Sequence, residues 1–197
     1  MPVITIFSGS FCKEEQVCRE VQTKTGAPLF SDKEVVDEAS RLSGIPEARL
    51  DRAFSARTSV FNKFTHEKER SIAYLKLAVA GLLSGDPLSI SGFSGLLIPS
   101  EVSHVLRVCL IADMKFRTSL LTVEQGIPEK EASKVIHKQD EDRALWVNSL
   151  FQRTDPWDSS LYDIVLPMDK TEVGQAADLI VRSAESTILQ PTVVSKR

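Results

Sequence analysis

Short apolar runs rich in β-branched residues alternate along this chain with helical patterns, and that alternation restricts the folds open to it. "VITIF" (3–7), "HVLRVCLIA" (104–112) and "SLYDIVLPM" (160–168) each read as a strand. A strand that is apolar on both sides is one buried on both faces. "APLF" (27–30) and the stretch after the turn in "DPLSISGF" (86–93) add two more.

The intervening segments carry helix signals. Residues 13–25 place Val17 and Val21 four apart, with Gly26 as the stop. Ser31 and Glu34 have capping-box spacing, Val35, Ala39 and Leu42 share a face, and Gly44 ends that helix. Pro46 suits a first helical position. Ile72, Leu75, Val79 and Leu82 recur at helical steps between Lys68 and Leu83. Further helices are expected over Met114 to Gln125, over 127–152 (one helix, or two with a bend) and over 170–187. The predicted order is β-α-β-α-α-α-β-β-α-α-β-α, an α/β domain with a parallel sheet covered on both faces. Ligands of such sheets bind outside the carboxyl ends of the strands. That places the stretch "ITIFSGSFCKEEQV" (4–17), the Gly92–Gly95 turn and the segment after Ala112 at one crevice. The polar stretch 55–70 is expected to be a mobile excursion.

The net charge of −3 gives no global attraction to nucleic acid or to an anionic membrane. No signal-like start and no membrane-length apolar run is read. Three cysteines without a CxxC pair argue against a disulfide framework or a zinc site. A reducing, cytoplasmic setting is the expectation. Cys109 reads as a buried small residue, while Cys12, beside Lys13 at a helix start, is a candidate for a lowered pKa. His66, His104 and His137 are scattered and read as structural or exposed, so no metal site is assigned. Trp146 reads as core.

Several phrases carry a family resemblance. "PVITI", "LFSDKEVVDEASRLSGI", "HVLRVCLIADMKFR", "GIPEKEASKVIHKQDEDRALWV" and "LYDIVL" stand in the order and spacing of the cytidylate kinase-like family of P-loop proteins. The chain resembles that family over about residues 2 to 185. The resemblance implies a P-loop, nucleoside monophosphate kinase-like three-layer fold with a five-stranded parallel sheet. It implies one domain over residues 1–187, a lid-like segment at about 113–155 and a tail at 188–197. By the resemblance, Arg117 and Arg143 fall where a lid carries arginines toward transferred phosphate, and Gly9, Ser10, Lys13 and Asp32 fall on the nucleotide-binding side. The implied activity is phosphoryl transfer from ATP, with magnesium, to a nucleoside monophosphate such as CMP.

The phosphate loop departs from that pattern. Where the family reads Ser-Arg-Glu-Phe-Gly-Ser-Gly-Gly-Arg-Glu, this chain reads Phe7-Ser8-Gly9-Ser10-Phe11-Cys12-Lys13-Glu14-Glu15-Gln16. Phe11, Lys13 and Glu14 replace the glycines that allow inward-pointing N–H groups and a close backbone approach. No lysine followed by a hydroxyl residue stands where a G-x-x-x-x-G-K-[ST] loop needs it. The family's Gly-Arg-Gly turn is here Gly92-Phe93-Ser94-Gly95, without the arginine. A carboxylate about 4 Å from a phosphate charge costs about 4 kcal/mol at an effective dielectric of about 20. Magnesium held by Glu14 or Glu15 would reverse that sign. The plain alternative for Lys13-Glu14-Glu15 is a solvated helix start, and for Arg117 and Arg143 it is pairing with Asp113, Asp140 or Glu141.

Three readings follow. One is a kinase-like domain with weak or absent phosphotransfer that binds a nucleotide or a protein partner. The second is an active kinase with a rebuilt loop. The third is an interaction scaffold, for which "FSGLLIP" (93–99) would be an exposed apolar patch.

Overall fold

A computed structural model describes residues 2–55, 66–85, 87–186 and 189. Most of the stretch expected to be a mobile excursion lies outside the described residues. Five parallel strands form one sheet: β1 (Val3–Ser8), β2 (Leu29–Phe30), β3 (Ser89–Ser91), β4 (Val105–Ile111) and β5 (Ile164–Pro167). Their order is β2-β3-β1-β4-β5, with Ile4 opposite both Ser89 and Leu106. Seven α-helices are described: α1 (Glu14–Thr25), α2 (Asp32–Ser43), α3 (Glu47–Asp51), α4 (Glu67–Leu83), α5 (Met114–Gln125), α6 (Glu129–Phe151) and α7 (Val173–Ala184). The long pattern over 127–152 is one helix, without a bend that divides it.

Strand alternation sorts the core into two layers. Val3, Phe7, Val105 and Cys109 face one side, with Val35, Leu75, Trp146 and other residues of α2, α4 and α6. Ile4, Ile6, Leu106, Val108 and Leu110 face the other, against Val17 and Val21 of α1 and Ile180 of α7. Full burial of one such aliphatic side chain stabilises by about 2 kcal/mol. A smaller cluster of Leu121, Ala132 and Ile136 joins α5 to α6.

Local signals end the helices where they were read. Ser31 and Glu34 form a capping box on α2, and Gly26 and Gly44 cap α1 and α2 in left-handed conformation. Asp113 caps α5 by accepting from the Phe116 N–H at 2.7 Å.

The stretch 93–99 is not an exposed patch. Phe93–Leu97 forms a 3-10 helix, and Leu96, Leu97 and Ile98 are buried against α4 and the sheet. A segment so apolar is stable only inside, and this removes its support for a scaffold role. Trp146 is core as expected, donating its indole N–H to the Phe93 carbonyl at 3.0 Å.

The β3 turn is locked by Asp32. Its carboxylate accepts from the Phe93 N–H at 2.9 Å, the Ser94 N–H at 2.7 Å and the Ser94 hydroxyl at 2.6 Å. Gly92, at φ 99°, lies so close that a Cβ there would meet Asp32 Oδ2 at 2.2 Å. Gly92→Ala therefore adds a clash to a left-handed backbone. Urea unfolding is expected to show a loss of about 3 kcal/mol for Gly92→Ala. Gly26→Ala, where a Cβ meets nothing within 4 Å, should cost only about 1 kcal/mol.

Candidate functional site around the β1–α1 loop

Residues 9–13 link the carboxyl end of β1 to α1, at the centre of the sheet. Phe11 and Lys13 adopt left-handed conformations, φ 59° and 58°, and Cys12 between them does not. Each left-handed residue that is not glycine costs roughly 1–2 kcal/mol. Of the three residues that stand where the family has glycines, Phe11 and Lys13 carry this strain and Glu14 is already helical. Alternating hands of this kind form a concave nest of N–H groups. Among the described residues, the backbone N–H groups of residues 13 to 16, at the start of α1, meet no acceptor of the chain. They line an open cleft of about 560 Å³.

Two arginines, Arg117 buried and Arg143 half-buried, hold the loop in this shape. Arg117, from α5, donates Nε–H to the Ser10 carbonyl at 2.7 Å and Nη2–H to Ser10 Oγ at 2.8 Å. The same Nη2 meets Asp140 Oδ1 of α6 at 2.7 Å. Arg143, from α6, donates Nε–H to the Ser8 carbonyl at 2.6 Å and Nη1–H to the Gln139 carbonyl at 3.0 Å. Its guanidinium lies 5.4 Å from the Phe93 ring centroid. Hydrogen bonds to a charged partner contribute about 1.5–3 kcal/mol each, enough to offset the backbone strain. Phe11 adds to this by packing outward on the cluster between α5 and α6.

Glu14 is the charged group the sequence placed wrongly. It is half-buried, not a solvated helix start, and its carboxylate accepts a hydrogen bond from the Ser8 hydroxyl. Burial pushes the Glu14 carboxyl above its ordinary 4.5, against the Ser8 hydrogen bond and Arg143, while Asp32 and Glu15 push the same way as burial. Burial also lowers Arg143, against the attraction of Glu14 and Asp140. Glu15 does match a solvated start: its side chain is 84 % exposed and pairs with Arg19 at 3.2 Å.

The predicted residues divide into two groups. Gly9, Ser10, Lys13, Arg117 and Arg143 gather at the loop, with the Lys13 ammonium 5.3 Å from the Phe116 ring centroid. Asp32 sits at the neighbouring β3 turn, where burial raises its carboxyl and the bonds from Ser94 and Phe93 oppose the rise. Ser8 and Phe93 were not assigned roles from sequence, and Glu14 was read as repelling phosphate, holding magnesium or starting a solvated helix. The position of Glu14 at the head of a helix was readable, but the inward turn of its side chain was not.

The residues at the cleft fit a bare polyphosphate poorly, whereas Glu14 and Glu15 supply oxygen ligands of the kind magnesium takes. The cleft is lined by three carboxylates, Glu14, Glu15 and Glu124, against two cations, Lys13 and Arg143. A polyphosphate needs the opposite balance. The guanidinium Nε–H groups that could meet phosphate already bond to the loop's own carbonyls.

Cys12 is not an activated thiol. It is buried, and burial pushes it up to about 11 in spite of Arg117. Cys18 and Cys109 are buried as well. Titration with a thiol-reactive disulfide is expected to find no fast-reacting thiol in the native protein and three after unfolding. One fast native thiol assigned to Cys12 would refute this. Glu14 gives a pH prediction. A carboxyl raised by folding contributes stability below about pH 4.5, and that stability is lost as pH climbs through the folded value. Glu14→Gln should melt higher than the wild type near pH 8, with the gap closing toward pH 4. A gap that does not change with pH would contradict the assignment.

Comparison with known proteins agrees with the fold. The sequence pattern of the cytidylate kinase-like family matches residues 3–170. No curated protein matches significantly. Among solved structures, an uncharacterised protein from Eubacterium ventriosum superposes with a TM-score of 0.70 at 18% identity, covering 93% of this chain and 98% of its own. Shikimate kinase from Bacteroides thetaiotaomicron superposes with a TM-score of 0.53 at 11% identity, covering 93% and 97%. TT1252 from Thermus thermophilus does so at 0.50 and 12% identity, covering 92% and 95%. At such identities the likeness concerns the fold alone, a three-layer α/β kinase fold. The match over residues 3–170, on a parallel sheet in the order β2-β3-β1-β4-β5, makes this chain a member of the cytidylate kinase-like family.

Proposed function

We propose that this chain is a kinase-like domain with weak or absent phosphotransfer, acting as a nucleotide- or partner-binding regulatory domain. The observation that carries the reading is the engagement of Arg117 and Arg143 with the loop's own carbonyls, Ser10 and Ser8. In this reading they are positioning residues. They hold a loop that no longer has its glycines, and withdrawing either one toward a ligand would release a strained backbone. Asp32 stands in the same relation to the β3 turn, since both of its oxygens are taken by Phe93 and Ser94. Gly9, Ser10 and Lys13 then shape the cleft without supplying a cationic phosphate clamp.

A second reading, an active ATP-dependent kinase acting on a CMP-like monophosphate, is favoured by one feature. The N–H groups of residues 13 to 16 at the start of α1 still border a cleft. Backbone donors at a helix start attract phosphate. In that case Arg143 would bind the transferred group.

Calorimetric titration of magnesium-ATP and CMP, with a coupled assay of ADP release, separates the two. The expected outcome is no saturable ATP binding below about 1 mM, where binding energy is only about 4 kcal/mol, and no ADP release above background. Micromolar ATP affinity with turnover abolished by Arg143→Gln would replace the first reading with the second.

A further inference from the structure

Helix α6 belongs to two cores. Its C-terminal half is anchored in the main core by Trp146 and Val147, and the Trp146 indole N–H bonds to the Phe93 carbonyl at 3.0 Å. Its N-terminal half carries Ala132 and Ile136, which pack with Leu121 of α5 in a separate small cluster. Ile136 and Trp146 stand about 15 Å apart along the helix axis. Met114, Ile127 and Val135 complete the small cluster from the same stretch of chain, residues 114–136. Among the described residues, Phe11 is its one member from elsewhere.

α5 and the first half of α6 thus form an arm with a core of its own, and the Phe11 ring joins that core to the β1–α1 loop. Arg117 adds a polar tie one residue away, to the Ser10 carbonyl and hydroxyl. Arm and loop both line the cleft, the arm through Leu120 and Glu124 and the loop through residues 9–13. The contact between them therefore sets its width.

We propose that Phe11 is a latch that holds the α5–α6 arm closed on the β1–α1 loop through the chain's own contacts, and so fixes the width of the cleft. The end of α6 held by Trp146 is the fixed point, and the arm opens from it when the ring leaves the cluster. This concerns the mechanics of the cleft and holds whether or not the cleft transfers phosphate. The direction of the effect is diagnostic. A φ of 59° strains phenylalanine but not glycine. If the ring had no role, Phe11→Gly would relax the loop and leave the arm as protected as before.

Hydrogen exchange read by mass spectrometry, on the protein alone at neutral pH, tests this. Phe11→Gly is expected to speed exchange over residues 114–136 by about tenfold, with β1, β4 and residues 143–149 within about threefold of the wild type. Phe11→Leu keeps an apolar group on the cluster and should stay within about threefold throughout. Unchanged exchange over 114–136 in Phe11→Gly would overturn the proposal. A rise shared evenly with the strands would also overturn it, since that marks a general loss of stability. So would Phe11→Leu opening the arm as far as Phe11→Gly does. Should Phe11→Gly not fold, Phe11→Ala takes its place, with the same expected rise and the same refuting results.

Discussion

The bonds from Arg117 to Ser10 and from Arg143 to Ser8 are what the site depends on. They run from two different helices to two carbonyls of one loop. Without them, left-handed conformations at Phe11 and Lys13 would have little to hold them. With them, the loop keeps a concave form that glycines would otherwise supply. Asp140 fixes Arg117 from behind, and Phe93 supports the plane of Arg143. The helices α5 and α6 are therefore tied to the loop by charge as well as by packing.

Carboxylates recur in this crevice at places suited to an anionic ligand. Asp32 takes the N–H groups of the β3 turn, and Glu14 takes the Ser8 hydroxyl. Burial disfavours the charged form of both, and Asp32 adds to the rise at Glu14 as Asp51 does at Asp32. Burying carboxylates costs free energy unless hydrogen bonds compensate. Both sites meet that condition through the chain's own donors, so the crevice is largely self-satisfied. This self-satisfaction underlies the proposed loss of phosphotransfer.

Much of the fold was legible because its signals are local. Apolar strands, Ser31 with Glu34, and glycines at the ends of α1 and α2 specify elements through backbone hydrogen bonding a few residues apart. The burial of residues 94–98 was not legible, since a run of apolar residues looks the same on a surface or under a helix. Cys12 misled for a related reason. Its neighbour Lys13 suggested an electropositive thiol, but depth beneath the loop governs its proton. The Arg117–Asp140 pair was readable as one option among several, because the two residues lie 23 positions apart on different helices.

The sequence by itself determined the α/β class, the parallel sheet, the phrases that match the family and a β1–α1 loop with Phe11, Lys13 and Glu14 in it. The first two follow from periodicity and the others from residue identity along the chain. Only the tertiary structure decided what holds that loop. That answer required α5 and α6 to bring Arg117 and Arg143 onto β1's loop, and Glu14 to turn inward instead of outward. Such choices depend on distances between residues far apart in the chain, and on burial, which no local pattern encodes.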